Sequence, residues 1–190
     1  MKDKNAIFID DNDDSPVQAK KKKGEIIYWI IPYVVVFIIA VAFLLCFRFV
    51  VVRGDSMNDT YKDGNIVIVN HLDYMMMLSQ DTPLERGTII VTDKTDTCPE
   101  VLIKRIIAKG GDTIDFENGN VILNGSILDE PYIKELTFTD EQGFTYPLFV
   151  EDDTYFIMGD NRNYSTDSRS ASVGLVHKDD IYGYVLCKLW

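Results

Sequence analysis

The stretch Val101-Leu102-Ile103-Lys104-Arg105-Ile106-Ile107-Ala108-Lys109-Gly110-Gly111 decides the fold class. It is short, rich in β-branched residues and stopped by a glycine pair, the signature of a strand. Alternation then puts Leu102, Lys104 and Ile106 on one face and Arg105 on the other. Similar apolar runs occur on both sides, at 66–69, 88–91, 121–123, 155–158 and 182–186. Asp63-Gly64, Arg86-Gly87, Asn118-Gly119, Asn124-Gly125 and Gly159-Asp160 punctuate them. Many short strands broken by glycine predict an all-β domain over residues 48–190, an antiparallel sheet or barrel. Residues 120–125 read as one limb of a hairpin. Residues 134–153 are polar and mixed and give no element.

Upstream the pattern changes. Residues 26–47 carry no charge. A helix of that length spans roughly 33 Å, enough for the ~30 Å hydrocarbon core of a bilayer. No small-x-small site follows, so the span reads as an uncleaved anchor, with Pro32 near its start. Residues 1–25 hold charges in blocks, Asp10 to Asp14 and then Lys20 to Lys23, and read as a disordered tail. The lysine block puts this tail on the cytoplasmic side of the membrane and residues 48–190 outside it. The formal net charge is −11, with 19 basic and 30 acidic residues. That excess lies wholly on the β-domain and argues against nucleic acid as a partner. Three cysteines give no disulfide framework, and the pairing of Cys98 with Cys187 stays open. His71 and His177 are too few and too scattered for a zinc site, and no metal or cofactor is expected.

Three segments carry chemistry. In Val52-Arg53-Gly54-Asp55-Ser56-Met57 a β-rich run ends at Gly54 with Ser56 just beyond. A nucleophilic serine is commonly set at such a strand end, although a plain turn serine is the simpler reading of this segment alone. Lys104 lies between aliphatic residues on an apolar face. Burial there would depress its pKa and let it serve as a base, against the alternative of a lysine that snorkels to solvent. The third segment, Gly159-Asp160-Asn161-Arg162-Asn163-Tyr164-Ser165-Thr166-Asp167-Ser168-Arg169, has no aliphatic residue. Its Asp and Arg residues suit an internal ion-pair network that fixes a loop, and Ser165 or Ser168 could orient a neighbouring side chain.

Taken together, the three segments resemble bacterial type I signal peptidase, in its single-span form. The family's serine box stands here as Gly54-Asp55-Ser56-Met57-Asn58-Asp59-Thr60-Tyr61. Its lysine box stands as Lys104 to Asp112. Its Gly-Asp-Asn-Arg-x-x-Ser-x-Asp-Ser-Arg block is matched from Gly159 to Arg169. The resemblance covers residues 26–187 and implies a membrane-anchored Ser-Lys endopeptidase with a small inserted β-region at about 115–150. Such an enzyme removes signal peptides from secretory preproteins after small residues at −1 and −3. Its partners would be those preproteins, membrane lipid and the secretion translocon. Carried over by position, Ser56 is the nucleophile and Lys104 the general base. The oxyanion falls on the backbone at Ser56 and Gly54, and Ser165 orients the lysine. Arg105, Asp160, Arg162, Asp167 and Arg169 brace the site. Val52, Met57, Tyr61, Leu102 and Ile103 line pockets for the substrate. The chain departs from the family at Asp59, where a proline is expected, and at Tyr61, where a leucine is.

Two other readings compete. A dedicated peptidase or chaperone for pilus or other surface proteins is compatible with the lost proline. A catalytically dead anchored scaffold is opposed by the presence of both Ser56 and Lys104. A Ser-His-Asp hydrolase would need His71 or His177, and neither lies in a recognisable catalytic setting.

Overall fold

In the computed structural model, residues 16–71, 84–93, 101–138 and 144–189 are described. The chain divides into two compact units, Met1–Phe43 and Leu44–Trp190. The first is carried by one helix, α1 (Pro16–Cys46), with Pro32 inside it. It starts about ten residues before the apolar run, inside the stretch expected to be a disordered tail. Pro16 suits the first helical position, and Gln18, Ala19, Lys20 to Lys23 and Glu25 are good helix formers that let the apolar helix extend backwards. Residues Ile27–Cys46 have a mean hydropathy of 2.8 and none is buried, so this segment is long and apolar enough to cross a membrane.

The second unit is antiparallel β. Its strands are β1 (Phe47–Val51), β2 (Ile66–His71), β3 (Ile89–Thr92), β4 (Leu102–Lys109), β5 (Thr113–Glu117), β6 (Asn120–Leu123), β7 (Ser126–Ile127), β8 (Leu148–Phe149), β9 (Thr154–Met158), β10 (Val176–His177) and β11 (Ile181–Lys188). Seven of them form one sheet in the order β1-β2-β11-β3-β4-β9-β10, and four form another in the order β7-β6-β5-β8. The predicted runs all become strands, and β1, β5, β7, β8 and β10 join them. The Asn118-Gly119 and Asn124-Gly125 pairs both have positive φ, at 51° and 82° and at 52° and 80°. That is the geometry of the tight turns that join β5 to β6 and β6 to β7.

Three apolar clusters hold this unit. Leu102 and Ile106 pack with Leu84, Ile90, Ile157 and Val176. Val52, Met57, Val67, Val69, Val91 and Ile103 form a second cluster. Ile114, Val121 and Leu123 of the small sheet, with Val150 just after β8, meet Ile107, Phe156 and Met158 of the large one. Strand β4 feeds all three clusters and is buried along most of its length. Its third residue is Lys104.

Candidate active site

Strands β1 and β2 pair from Phe47 opposite Asn70 to Val51 opposite Ile66, and the loop between them carries Ser56. Two backbone bonds close the neck of that loop, Val52 N to Asn65 O at 2.8 Å and Gly64 N to Val52 O at 2.9 Å. Gly54 turns the chain with φ +77°, which an L side chain would resist. Its amide donates to Asp63 Oδ1 at 2.8 Å. That bond ties the Gly54 N–H back to the far side of the same loop. Ser56 is half-buried, and its own amide has no hydrogen-bond acceptor among the described residues.

Lys104 lies on the face of β4 that alternation predicts, directly across from Ile90 on β3, with Leu102 and Ile106 either side. It is 3% exposed. Its Nζ sits 2.9 Å from Ser56 Oγ and donates to the Ile103 carbonyl at 3.2 Å. A serine and a lysine 48 positions apart thus meet at hydrogen-bond distance, with apolar side chains behind the amine.

The polar block from Gly159 leaves β9 and folds over this pair. Asn161 donates from its backbone to Ser56 O and from its side chain to Asp55 O, each at 3.0 Å. Asp160 accepts both arms of the Arg105 fork, at 2.8 and 2.7 Å, and a bond from Thr60 Oγ1 at 2.5 Å. Burial works against the Arg105 charge, but the Asp160 carboxylate outweighs it and holds the guanidinium above its ordinary pKa. Asp167 accepts from Gly159 N at 3.0 Å and takes a two-pronged contact from Arg169, while Ser168 Oγ accepts from Ile157 N. Arg162 is fully buried and paired in bidentate fashion with Glu130, and it also donates to Thr137 Oγ1. Tyr132 lies under Arg105, its ring centroid 4.0 Å from the guanidinium carbon, and donates to Glu130. Burial and the neighbouring Glu130 push its phenol up.

The five supporting residues expected from the sequence therefore lie in one network. Sequence reasoning missed Glu130, Tyr132 and Thr137, which reach the network from the segment after β7, and it gave Asn161 and Thr60 no role. Glu130-Pro131-Tyr132 sits in a mixed polar stretch whose spacing carries no signal.

Ser165 departs from expectation. Its hydroxyl lies against Gly159, where an added Cβ would collide with both Ser165 Oγ and Ser56 O. It makes no hydrogen bond among the described residues, so the expected bond to Lys104 is absent. The amine is held by Ile103 O and Ser56 Oγ instead. The five expected pocket residues also divide. Val52, Met57, Ile103 and half-buried Tyr61 share one cluster, whereas Leu102 packs in the other beside Ile106. Burial raises the Tyr61 phenol pKa, with Asp160 adding to it and Arg105 opposing. His71 packs edge-on against Tyr182, and exposed His177 accepts from Asp179 N. Cys187 is exposed and free, and Cys98 lies outside the described residues.

The family profile described as "Signal peptidase, peptidase S26" matches residues 24–190. The chain belongs to the signal peptidase S26 family. It is 34% identical over 177 residues to signal peptidase I P of Bacillus subtilis subsp. natto, covering 87% of this chain and 90% of that one. It is 33% identical over 192 residues to signal peptidase IB of Staphylococcus aureus (strain COL), covering 88% and 91%. A crystal structure of a signal peptidase I from Enterococcus faecalis V583 aligns with 56% of this chain and 98% of its own, at 28% identity and a TM-score of 0.47. Membership of the S26 peptidases makes this chain a hydrolase, a serine endopeptidase.

Proposed function

We propose that this S26 peptidase removes N-terminal signal peptides from secreted preproteins with a Ser56–Lys104 dyad. The observation that carries the reading is the 2.9 Å approach of Lys104 Nζ to Ser56 Oγ in an apolar setting. Burial disfavours an ammonium, which favours the neutral amine that a base requires. The neutral amine accepts the Ser56 hydroxyl proton as Oγ adds to the scissile carbonyl carbon. The oxygen that gains the charge is received by the Ser56 N–H. Lys104, now an ammonium, gives its proton to the departing amine, and the C–N bond breaks. Water then attacks the acyl-serine with Lys104 again as base, and Oγ leaves with its proton restored. Substrates with small residues at −1 and −3 fit a site beside the packed cluster that holds Val52, Met57, Tyr61 and Ile103.

Helix α1 serves as a single membrane anchor, with the amino terminus cytoplasmic and the β-domain outside. Holding enzyme and preprotein in one membrane plane raises their effective concentration without any new contact. Protease added to intact protoplasts should digest the β-domain, and its protection would reverse this orientation. For the chemistry, Ser56→Ala and Lys104→Ala should each abolish cleavage of a preprotein with Ala at −1 and −3. His71→Ala and His177→Ala should leave it intact. Full activity in either dyad variant would end the proposal.

A further inference from the structure

We infer that Asn161 is a positioning residue that aims the Ser56 amide at the oxyanion, an inference that rests on the reading of Ser56 as nucleophile. The two peptide groups flanking the Ser56 Cα are both held by this one residue. Its backbone N–H donates to Ser56 O, and its side-chain amide donates to Asp55 O, each at 3.0 Å. The Asp55 carbonyl and the Ser56 N–H belong to the same peptide group, which is not among the cis bonds of the chain. Across a planar trans peptide the C=O and N–H point in opposite directions. Fixing the carbonyl on one side therefore fixes the direction of the N–H on the other.

The second acceptor site of Asp55 O takes the Asn58 N–H at 3.1 Å. That bond is internal to the serine turn and cannot stop the turn from rocking as a unit. Asn161 arrives from 106 positions away in sequence, from the loop that Asp160 ties to Arg105 on β4. The donor is thus referenced to the strand that carries the general base. Donation to the carbonyl also polarises the peptide and strengthens its N–H as a donor. A preorganised donor stabilises the transition state because it needs no reorientation as charge develops.

The test uses the detergent-solubilised full chain, with a synthetic signal-peptide substrate and a peptide aldehyde ending in alanine. Ser56 Oγ adds to the aldehyde carbon, so the hemiacetal oxygen takes the oxyanion's place. Asn161→Ala removes the donor, and Asn161→Asp sets an acceptor against the Asp55 carbonyl. Removing an oxyanion donor outright costs about 100- to 1,000-fold in kcat, so misaiming one should cost about 10- to 100-fold. The expected result is that fall in kcat with KM within about twofold. Aldehyde affinity should drop in proportion, and the affinity for the cleaved product peptide should hold. The aspartate variant should lose at least as much as the alanine variant. The inference is overturned if kcat stays near wild type, if the loss appears in KM alone, or if aldehyde and product weaken equally. Ser56→Ala is run beside them. Full activity there would sink the dyad reading itself, whereas an inactive Ser56→Ala with an active Asn161→Ala sinks only the role of Asn161.

Discussion

At Gly159 the protein has room for a hydrogen atom and nothing larger. A methyl group there would meet the Ser165 hydroxyl and the Ser56 carbonyl oxygen at once. The Ser56 carbonyl cannot retreat cheaply, because it is backbone and the serine turn is tied to Asn161 and Asp160. Gly159→Ala should therefore shift Ser56 by a fraction of an ångström or more. A misplacement near 1 Å can cost about a hundredfold in rate. Steady-state cleavage should show a kcat loss of that order, and a wild-type rate would mean that the loop yields freely. Ser56 and Lys104 could be singled out only through the family resemblance that the three segments carry together, since the Ser56 segment alone reads more simply as a turn and Lys104 could equally snorkel to solvent. Asn161 was not singled out, because its partners lie more than a hundred residues earlier and no spacing records them. Ser165 was given a bond that the structure withholds, since a motif fixes which residues gather in a loop but not which way each hydroxyl points.

Among the elements, the junction of β4 and β5 depends on Asp112. It is nearly buried and accepts from Arg86, from the Lys109 amide at 2.9 Å and from Asn124 at 2.9 Å. Burial pulls its pKa upward, but Arg86 and the two amides prevail and hold it below the usual 3.8. The carboxylate's contribution to stability is thus complete above that value and is lost as pH falls through the depressed folded one. Thermal unfolding of wild type and Asp112→Asn should differ most at neutral pH and converge in acid. A gap that persists unchanged below about pH 2 would assign the stabilisation to shape and not to charge. The strands read correctly from sequence were those with three or more consecutive apolar residues, five on the large sheet and β6 on the small one. Strands β7, β8 and β10 are two residues long, and β5 alternates Ile114 and Phe116 with polar neighbours, so short length and a wet face hid them. The helix start was missed because a lysine block was read for its charge, although lysine also favours the helical backbone.

For the whole molecule, the order of strands in the large sheet matters more than their number. The hairpin bearing Ser56 is β1-β2, and Lys104 stands on β4. Between them lies β11, bonded to β2 on one side and β3 on the other. Ending the chain after Asp180 should leave cleavage undetectable, and a synthetic peptide of residues 181–190 should restore it. Activity in the shortened chain alone would show that β2 and β3 can close up without their partition. Chain order then becomes a timetable. A ribosome makes Ser56 early, Lys104 midway and the strand that joins their two halves after every other described strand is out. A chain made only as far as Asp180 therefore holds both side chains but lacks the strand that bridges their halves.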